Sequence, residues 1–190
     1  MNFIEVYENA FADNFCDDAI KYFESSGSKN PGMVFDGNKQ IVNKNIKSST
    51  DLTLFFSQET SVSSKIFDCI NKYFYEYLQK YQDLQSIMEL SLNNNFNIQR
   101  YYPGEGFTAI HCEHSSKTCT TVCGWMIYLN DVDDGGTEFT NYNTILECKK
   151  GTLVIWPAYW THSHRGVVSK TKTKYIATGW VSFYDNNEKC

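Results

Sequence analysis

Two stretches in the first half of the chain carry apolar residues at helical spacing. In Phe11–Phe23, Phe15, Ala19, Ile20 and Phe23 share a face, acidic residues crowd the first turn, and Asp13 or Asn14 is placed to cap it. From Ser61 to about Tyr81, Val62, Ile66, Ile70, Tyr73, Phe74, Tyr77 and Leu78 recur in the same way. Between them Gly27 to Gly37, with Pro31, is rich in turn residues and predicts an exposed loop. At Asn95 the period changes. Phe96–Tyr101 alternates, Val122–Leu129 is an aromatic and aliphatic run, Thr152–Trp156 reads as a short buried strand, and Tyr175–Phe183 closes the series. Asp133-Asp134-Gly135-Gly136 predicts a turn. Helices followed by many short strands predict an α+β chain whose C-terminal half is a sandwich or barrel, with the helices packed outside a sheet.

Composition narrows the setting. A chain of 190 residues with 42% hydrophobic and 16% aromatic residues can bury the core of one domain. The net charge of −5 and the lack of a Lys/Arg run argue against a nucleic-acid partner. Seven cysteines, an odd number in no regular framework, suit free thiols in a reducing compartment. Met1–Glu8 has neither the basic nor the apolar region of a signal peptide, and no apolar run approaches the roughly 20 residues of a membrane span. The expectation is a soluble cytoplasmic protein with no membrane partner.

All four histidines, His111, His114, His162 and His164, fall in the strand-rich half. On an extended strand, residues two apart point to one face, so His111-Cys112-Glu113 would aim an imidazole and a carboxylate into one space. A further histidine from a distant strand would complete a two-His, one-carboxylate triad, which leaves open positions on a six-coordinate iron. His-x-Glu alone is a weak signal. A zinc cluster of Cys112, Cys119 and Cys123 with His111 and His114 is the rival metal reading, although structural zinc favours tight Cys pairs on turns.

The surrounding segments are more specific. They are Arg100-Tyr101-Tyr102-Pro103-Gly104, then Ile127-Tyr128-Leu129-Asn130 with Gly135-Gly136-Thr137-Glu138-Phe139, then Gly151-Thr152-Leu153-Val154-Ile155-Trp156-Pro157, His164-Arg165-Gly166 and Lys174-Tyr175. In that order they resemble the prolyl 4-hydroxylase branch of the Fe(II)/2-oxoglutarate dioxygenases, particularly its short bacterial and phage-type members. The resemblance runs from about Ile98 to Phe183. It implies a double-stranded β-helix, or jelly roll, spanning about residues 93–185, with a helical part over about 1–92, all as one domain. It also implies Fe(II) on His111, Glu113 and His164, and a 2-oxoglutarate cosubstrate held by Lys174 and Tyr101. O₂ would be the oxidant and ascorbate an accessory reductant. The implied reaction is hydroxylation of a proline in a peptide or protein. Hydroxylation of a small molecule or of another residue type, and a non-catalytic jelly-roll binding protein, are the alternatives. A halogenase is disfavoured because Glu113 fills the position a halide would need.

Two departures from the family pattern matter. Glu113 stands where most members have Asp, which moves the carboxylate by roughly a bond length where ligand distances are held to about 0.2 Å. His162, with Lys172 ten residues on, offers a second register for the distal ligand, but the residues flanking His164 and Lys174 favour the later one. His162 then becomes a rim or core histidine and His114 a surface or substrate-loop residue. Trp156 and Trp180 read as core, whereas Trp125 and Tyr128 read as core or substrate-facing. Arg100 and Arg165 read as substrate contacts or solvated charges, and Asn38–Ser49 as a lid or an ordinary exposed loop.

Overall fold

The computed structural model describes residues 2–37, 39–87 and 89–184. Met1, the Asn38 end of the basic segment, Cys190 and the expected core boundary at residue 185 lie outside them. In chain order the strands are β1 (Glu5–Tyr7), β2 (Asn30–Pro31), β3 (Val34–Asp36), β4 (Lys39–Ile41), β5 (Thr50–Phe55), β6 (Leu90–Tyr101), β7 (Thr121–Tyr128), β8 (Val132–Phe139), β9 (Thr144–Cys148), β10 (Leu153–Pro157), β11 (His164–Val167) and β12 (Lys174–Phe183). The helices are α1 (Asp13–Ser25), α2 (Ser61–Lys80) and α3 (Gln82–Ile87).

Two antiparallel sheets form the jelly roll. The larger has the order β1-β10-β7-β12-β6-β5-β2 and the smaller β11-β8-β9, with β3–β4 a separate hairpin. Strand alternation sorts the larger sheet's side chains between two cores. Phe96, Ile98, Cys123, Trp125, Ile127, Leu153, Ile155, Ala177 and Val181 face α1 and α2. Tyr101, Met126, Tyr128, Val154, Trp156 and Ile176 face inward and meet Val132, Phe139 and Cys148 of the smaller sheet. That inner space is where the chemistry gathers.

Both long helices form where the periodicity places them: α1 buries Phe15, Ala19 and Phe23 of its expected stripe together with Cys16, and α2 buries Val62, Ile66, Ile70, Phe74 and Tyr77, while Ile20, Tyr73 and Leu78 are only partly buried. Thr60 caps α2 by accepting from Ser63 N at 3.0 Å. The N-cap of α1 is Ala12, not Asp13 or Asn14, and no side chain caps it; the Asn14 amide oxygen instead accepts from Phe15 N.

Three expectations fail for identifiable reasons. The first ninety residues are not helices alone, because β1, β2 and β5 join the larger sheet. β1 and β2 are only two or three residues long, too short for a period to show. Asp133–Gly136 is not a turn but part of β8, which runs through with a register shift between Val132 and Thr137. Gly136 sits at φ +125°, and a Cβ there would strike the Leu146 carbonyl oxygen of β9, so glycine lets the neighbouring strand close in. The exposed loop expected over Gly27–Gly37 contains β2 and part of the β3–β4 hairpin.

Candidate metal and cosubstrate site

His111 and His164 face each other across an isolated antiparallel bridge outside the named pairing of β11, and the two backbones exchange both hydrogen bonds, at 3.0 and 2.8 Å. Residues paired in this way send their side chains to one side, and the two imidazoles lie 4.4 Å apart between ring centroids. The His111–Glu113 segment is therefore not the regular strand its spacing suggested. His111 occupies a single bridge and Glu113 a bend, yet the two-residue offset still brings both side chains together.

Glu113 Oε1 lies 3.3 Å from His164 Nε2 and 3.9 Å from His111 Nε2. One ligand atom from each of the three residues falls within 4.8 Å of the others, and this is the sole such group among the described residues. Carbonyl oxygens fix the histidine tautomers: His111 Nδ1 donates to Ala109 O and His164 Nδ1 to His162 O, each at 2.9 Å. With both Nδ1 atoms held on carbonyls, both Nε2 atoms turn toward the carboxylate, the orientation of metal-ligating histidines. The imidazoles are packed as well as bonded. Phe107 stacks on His111 at 3.7 Å and 8°, and Phe139 and Trp156 pack on His164.

Charge follows the geometry. Burial pushes the Glu113 carboxyl up, but the His164 and His111 imidazoles and the Trp180 N–H outweigh it and hold the group at about 2. Burial, with His164 beside it, lowers His111 to about 4 and favours the neutral ring. One carboxylate oxygen and two imidazole nitrogens, N₂O donors on one face, suit Fe(II).

The extra methylene of Glu113 is accommodated by an absence. A Cβ on Gly124 would stand 3.2 Å from Glu113 Cγ and 2.7 Å from Trp156 Cζ2. Gly124 pairs with Trp156 on β10 and with Trp180 on β12, so the carboxylate arm lies over a floor without a side chain, between two indoles. Trp180 Nε1 donates to Glu113 Oε2 at 2.6 Å. Sequence reasoning read Trp180 as core packing. The available signal was period: Lys174, Ile176, Thr178 and Trp180 share one face of a strand.

Lys174 is buried on that inner face. It donates to the carbonyls of Val167 at 3.0 Å and Gly136 at 3.3 Å, and no carboxylate among the described residues matches its charge. Burial lowers its pKa. Tyr101 pairs with Lys174 across β6 and β12, and the ammonium lies 5.3 Å from the tyrosine ring centre. A buried cation lacking an anion, beside a buried phenol, suits the distal carboxylate of a 2-oxo diacid.

The remaining candidates are engaged elsewhere. His162 is buried, but its Nε2 faces the Asn2 carbonyl oxygen at 2.7 Å and the Tyr142 hydroxyl at 3.1 Å, away from Glu113. His114 Nδ1 donates to Thr121 O while its ring stacks on Tyr159. Cys123 faces the helical core and Cys112 donates to His114 O, so the cysteines do not converge with His111. Arg165 pairs with Glu138, and Arg100 holds Glu24 through both carboxylate oxygens. Tyr128 is fully buried and donates to Thr137 Oγ1, and Trp125 lies in the helical core. Lys47, expected on an exposed segment, is buried against Asp51 at 2.7 Å.

Residues 96–182 match the family model described as the 2OG-Fe(II) oxygenase superfamily. The match covers the strand-rich half of the chain, which resembles that superfamily, named for 2-oxoglutarate and Fe(II). The chain's fold is that of solved prolyl hydroxylases. The viral collagen prolyl hydroxylase of Paramecium Bursaria Chlorella virus-1, solved as a 2OG complex, is 19% identical with a TM-score of 0.67, over 96% of this chain and 97% of that one. A Pseudomonas putida prolyl-4-hydroxylase is 13% identical with a TM-score of 0.72, over 96% and 94%. A Trichoplax adhaerens prolyl hydroxylase, solved with a hypoxia inducible factor oxygen degradation domain peptide fragment, is 11% identical with a TM-score of 0.75, over 96% and 84%. No curated protein matches the chain in sequence. Among the described residues no helix is long and apolar enough to cross a membrane.

Proposed function

We propose that the protein is an Fe(II)- and 2-oxoglutarate-dependent dioxygenase that hydroxylates a prolyl residue of a peptide or protein. The observation that carries this reading is the convergence of His111 Nε2, Glu113 Oε1 and His164 Nε2, with both histidine tautomers fixed by backbone carbonyls. These three atoms would hold the iron, and Glu113 Oε2 would stay on Trp180. Lys174 would neutralise the distal carboxylate of 2-oxoglutarate, and Tyr101 would donate its hydroxyl to the same group. When bound, the iron and cosubstrate supply the oxidising chemistry, with 2-oxoglutarate and O₂ yielding succinate, CO₂ and the hydroxylated substrate. The chain's own part is placement: the apolar wall of Met126, Tyr128, Phe139, Trp156 and Ile176 keeps water from that space.

The prolyl substrate is supported by the fold shared with a viral collagen prolyl hydroxylase and with a prolyl hydroxylase solved in complex with a hypoxia inducible factor peptide fragment. The β3–β4 hairpin presents exposed Phe35, with Met33 and Val42 flanking it, as the apolar face of a lid that would close on such a peptide. The test is 2-oxoglutarate turnover by the purified protein with Fe(II). Succinate formation that is abolished in His164→Ala and raised by proline-rich peptides, but not by free amino acids, supports the reading. No turnover under any of these conditions refutes the enzyme, and stimulation by free amino acids alone refutes the peptide substrate.

A further inference from the structure

A chain of buried polar groups leads away from Tyr101. Its hydroxyl lies 2.7 Å from Gln99 Oε1, Gln99 Nε2 lies 3.3 Å from Asp51 Oδ2, and Asp51 is held by Lys47 Nζ at 2.7 Å and Ser49 Oγ at 2.7 Å. The direction of every proton is forced. An ionised carboxylate only accepts, so Asp51 must face the amide nitrogen of Gln99, and the amide oxygen must face Tyr101. That oxygen also only accepts, so Tyr101 is the donor. Ser49, which also lies beside the Tyr101 hydroxyl, gives its own proton to Asp51. Gln99 and Tyr101 are both nearly fully buried, so water does not relieve the arrangement.

Tyr101 has one hydroxyl proton, and burial keeps it bound by raising the phenol well above its ordinary value. A carboxylate entering beside Lys174 offers acceptors only. Tyr101 can serve it solely by turning that proton away from Gln99. We infer that Gln99 is a positioning residue that sets the affinity for 2-oxoglutarate by competing with its distal carboxylate for the Tyr101 hydroxyl proton. The inference rests on the proposed role of Tyr101 at the cosubstrate. Asp51 and Lys47 make the competition firm, because the carboxylate prevents Gln99 from flipping its amide to become a donor.

The sign is opposite to that of a residue that merely supports the site. Gln99→Met, which keeps the side chain's length and removes the amide acceptor, leaves only the Ser49 hydroxyl oxygen to contest the Tyr101 proton and tightens 2-oxoglutarate binding. The expected gain is about fivefold, the equivalent of the roughly 1 kcal/mol that one net hydrogen bond is worth. Turnover assays would show the change in the KM for 2-oxoglutarate, with kcat unmoved. In a Tyr101→Phe background there is no proton to contest, so adding Gln99→Met changes nothing.

The measurement is calorimetric titration of 2-oxoglutarate into the full chain loaded with Mn(II), for the wild type, Gln99→Met, Tyr101→Phe, the double variant and Lys174→Met. Tighter binding in Gln99→Met that vanishes in the Tyr101→Phe background supports the inference. Unchanged or weaker binding in a folded Gln99→Met protein overturns it. If Gln99→Met fails to fold, Gln99→Glu replaces it: a charged acceptor grips the proton harder and weakens binding, and an unaltered affinity there overturns the inference as well. Lys174→Met separates the two claims. Binding lost in Lys174→Met but unmoved in Gln99→Met sinks only the competition, whereas full affinity in Lys174→Met sinks the cosubstrate assignment itself.

Discussion

Trp180 donates its indole N–H to Glu113 Oε2 at 2.6 Å and thereby leaves Oε1 as the carboxylate atom facing the two histidines. A glutamate has one more rotatable bond than an aspartate, and a ligand that swings loses affinity. The indole removes that freedom. Trp180→Phe keeps the ring's bulk and deletes the donor, so metal affinity should drop about 10- to 100-fold, the usual cost of losing a partner behind a ligand. Titration with Mn(II), read against an unchanged circular dichroism spectrum, checks this. An unaltered affinity would mean that the indole contributes packing alone.

The fit between Glu113 and Gly124 makes a second prediction. Gly124→Ala inserts a methyl 2.7 Å from Trp156 Cζ2 and 3.2 Å from Glu113 Cγ. Something must shift, at a cost of about 1–3 kcal/mol in stability. Metal affinity should fall with it, because the displaced arm is a proposed ligand. Combining Gly124→Ala with Glu113→Asp relieves the contact with the shortened side chain, so the pair should lose less stability than the separate changes add up to. Chemical denaturation of the four proteins checks the coupling.

Lys174 sets function against stability. A buried ammonium matched only by carbonyls is costly to keep charged, and burial lowers its pKa. In the window between that lowered value and the ordinary 10.5, the unfolded chain binds more protons than the folded one, so this group makes stability rise with pH there. Lys174→Met removes the charge and fills a similar volume. It should raise the melting temperature by several degrees, at roughly 2–4 °C per kcal/mol for a chain of this size, while 2-oxoglutarate binding disappears. A thermal scan with and without 2-oxoglutarate measures both effects.

The two neighbouring histidines should separate cleanly. His164→Ala should lose metal binding and keep the fold, because its ring is packed beside the other proposed ligands. His162→Ala should retain metal and lose about 1–3 kcal/mol of stability, since its imidazole is buried and bonded toward Asn2 and Tyr142. Denaturant melts and metal titrations on the two variants would show whether the roles are reversed.

What the sequence made legible, and what it hid, follows from range. α1 and α2 could be read because their faces repeat over three or more turns, and β6, β7, β10 and β12 because each is long or continuously apolar. β1 and β2 are too short for any period, and β8 was hidden by glycines that serve a bulge instead of a turn. His111, Glu113 and His164 could be named because their spacing and flanking residues form an ordered series, although the local backbone is a lone bridge and a bend in place of a strand. The contacts that Trp180, Gln99, Asp51 and Gly124 make around the candidate site were not legible. Their importance lies in which atom meets which across strands, and no local pattern encodes that.

The central claim is that one cation sits against three atoms of this chain. A crystal of the protein grown with Mn(II) and 2-oxoglutarate, with the metal located by its anomalous scattering, tests it most directly. The account predicts a single site bonded to His111 Nε2, Glu113 Oε1 and His164 Nε2, with the ligand's far carboxylate at Lys174. Metal bound instead through His162 or the cysteines, or three empty ligands beside an ordered 2-oxoglutarate, would contradict it.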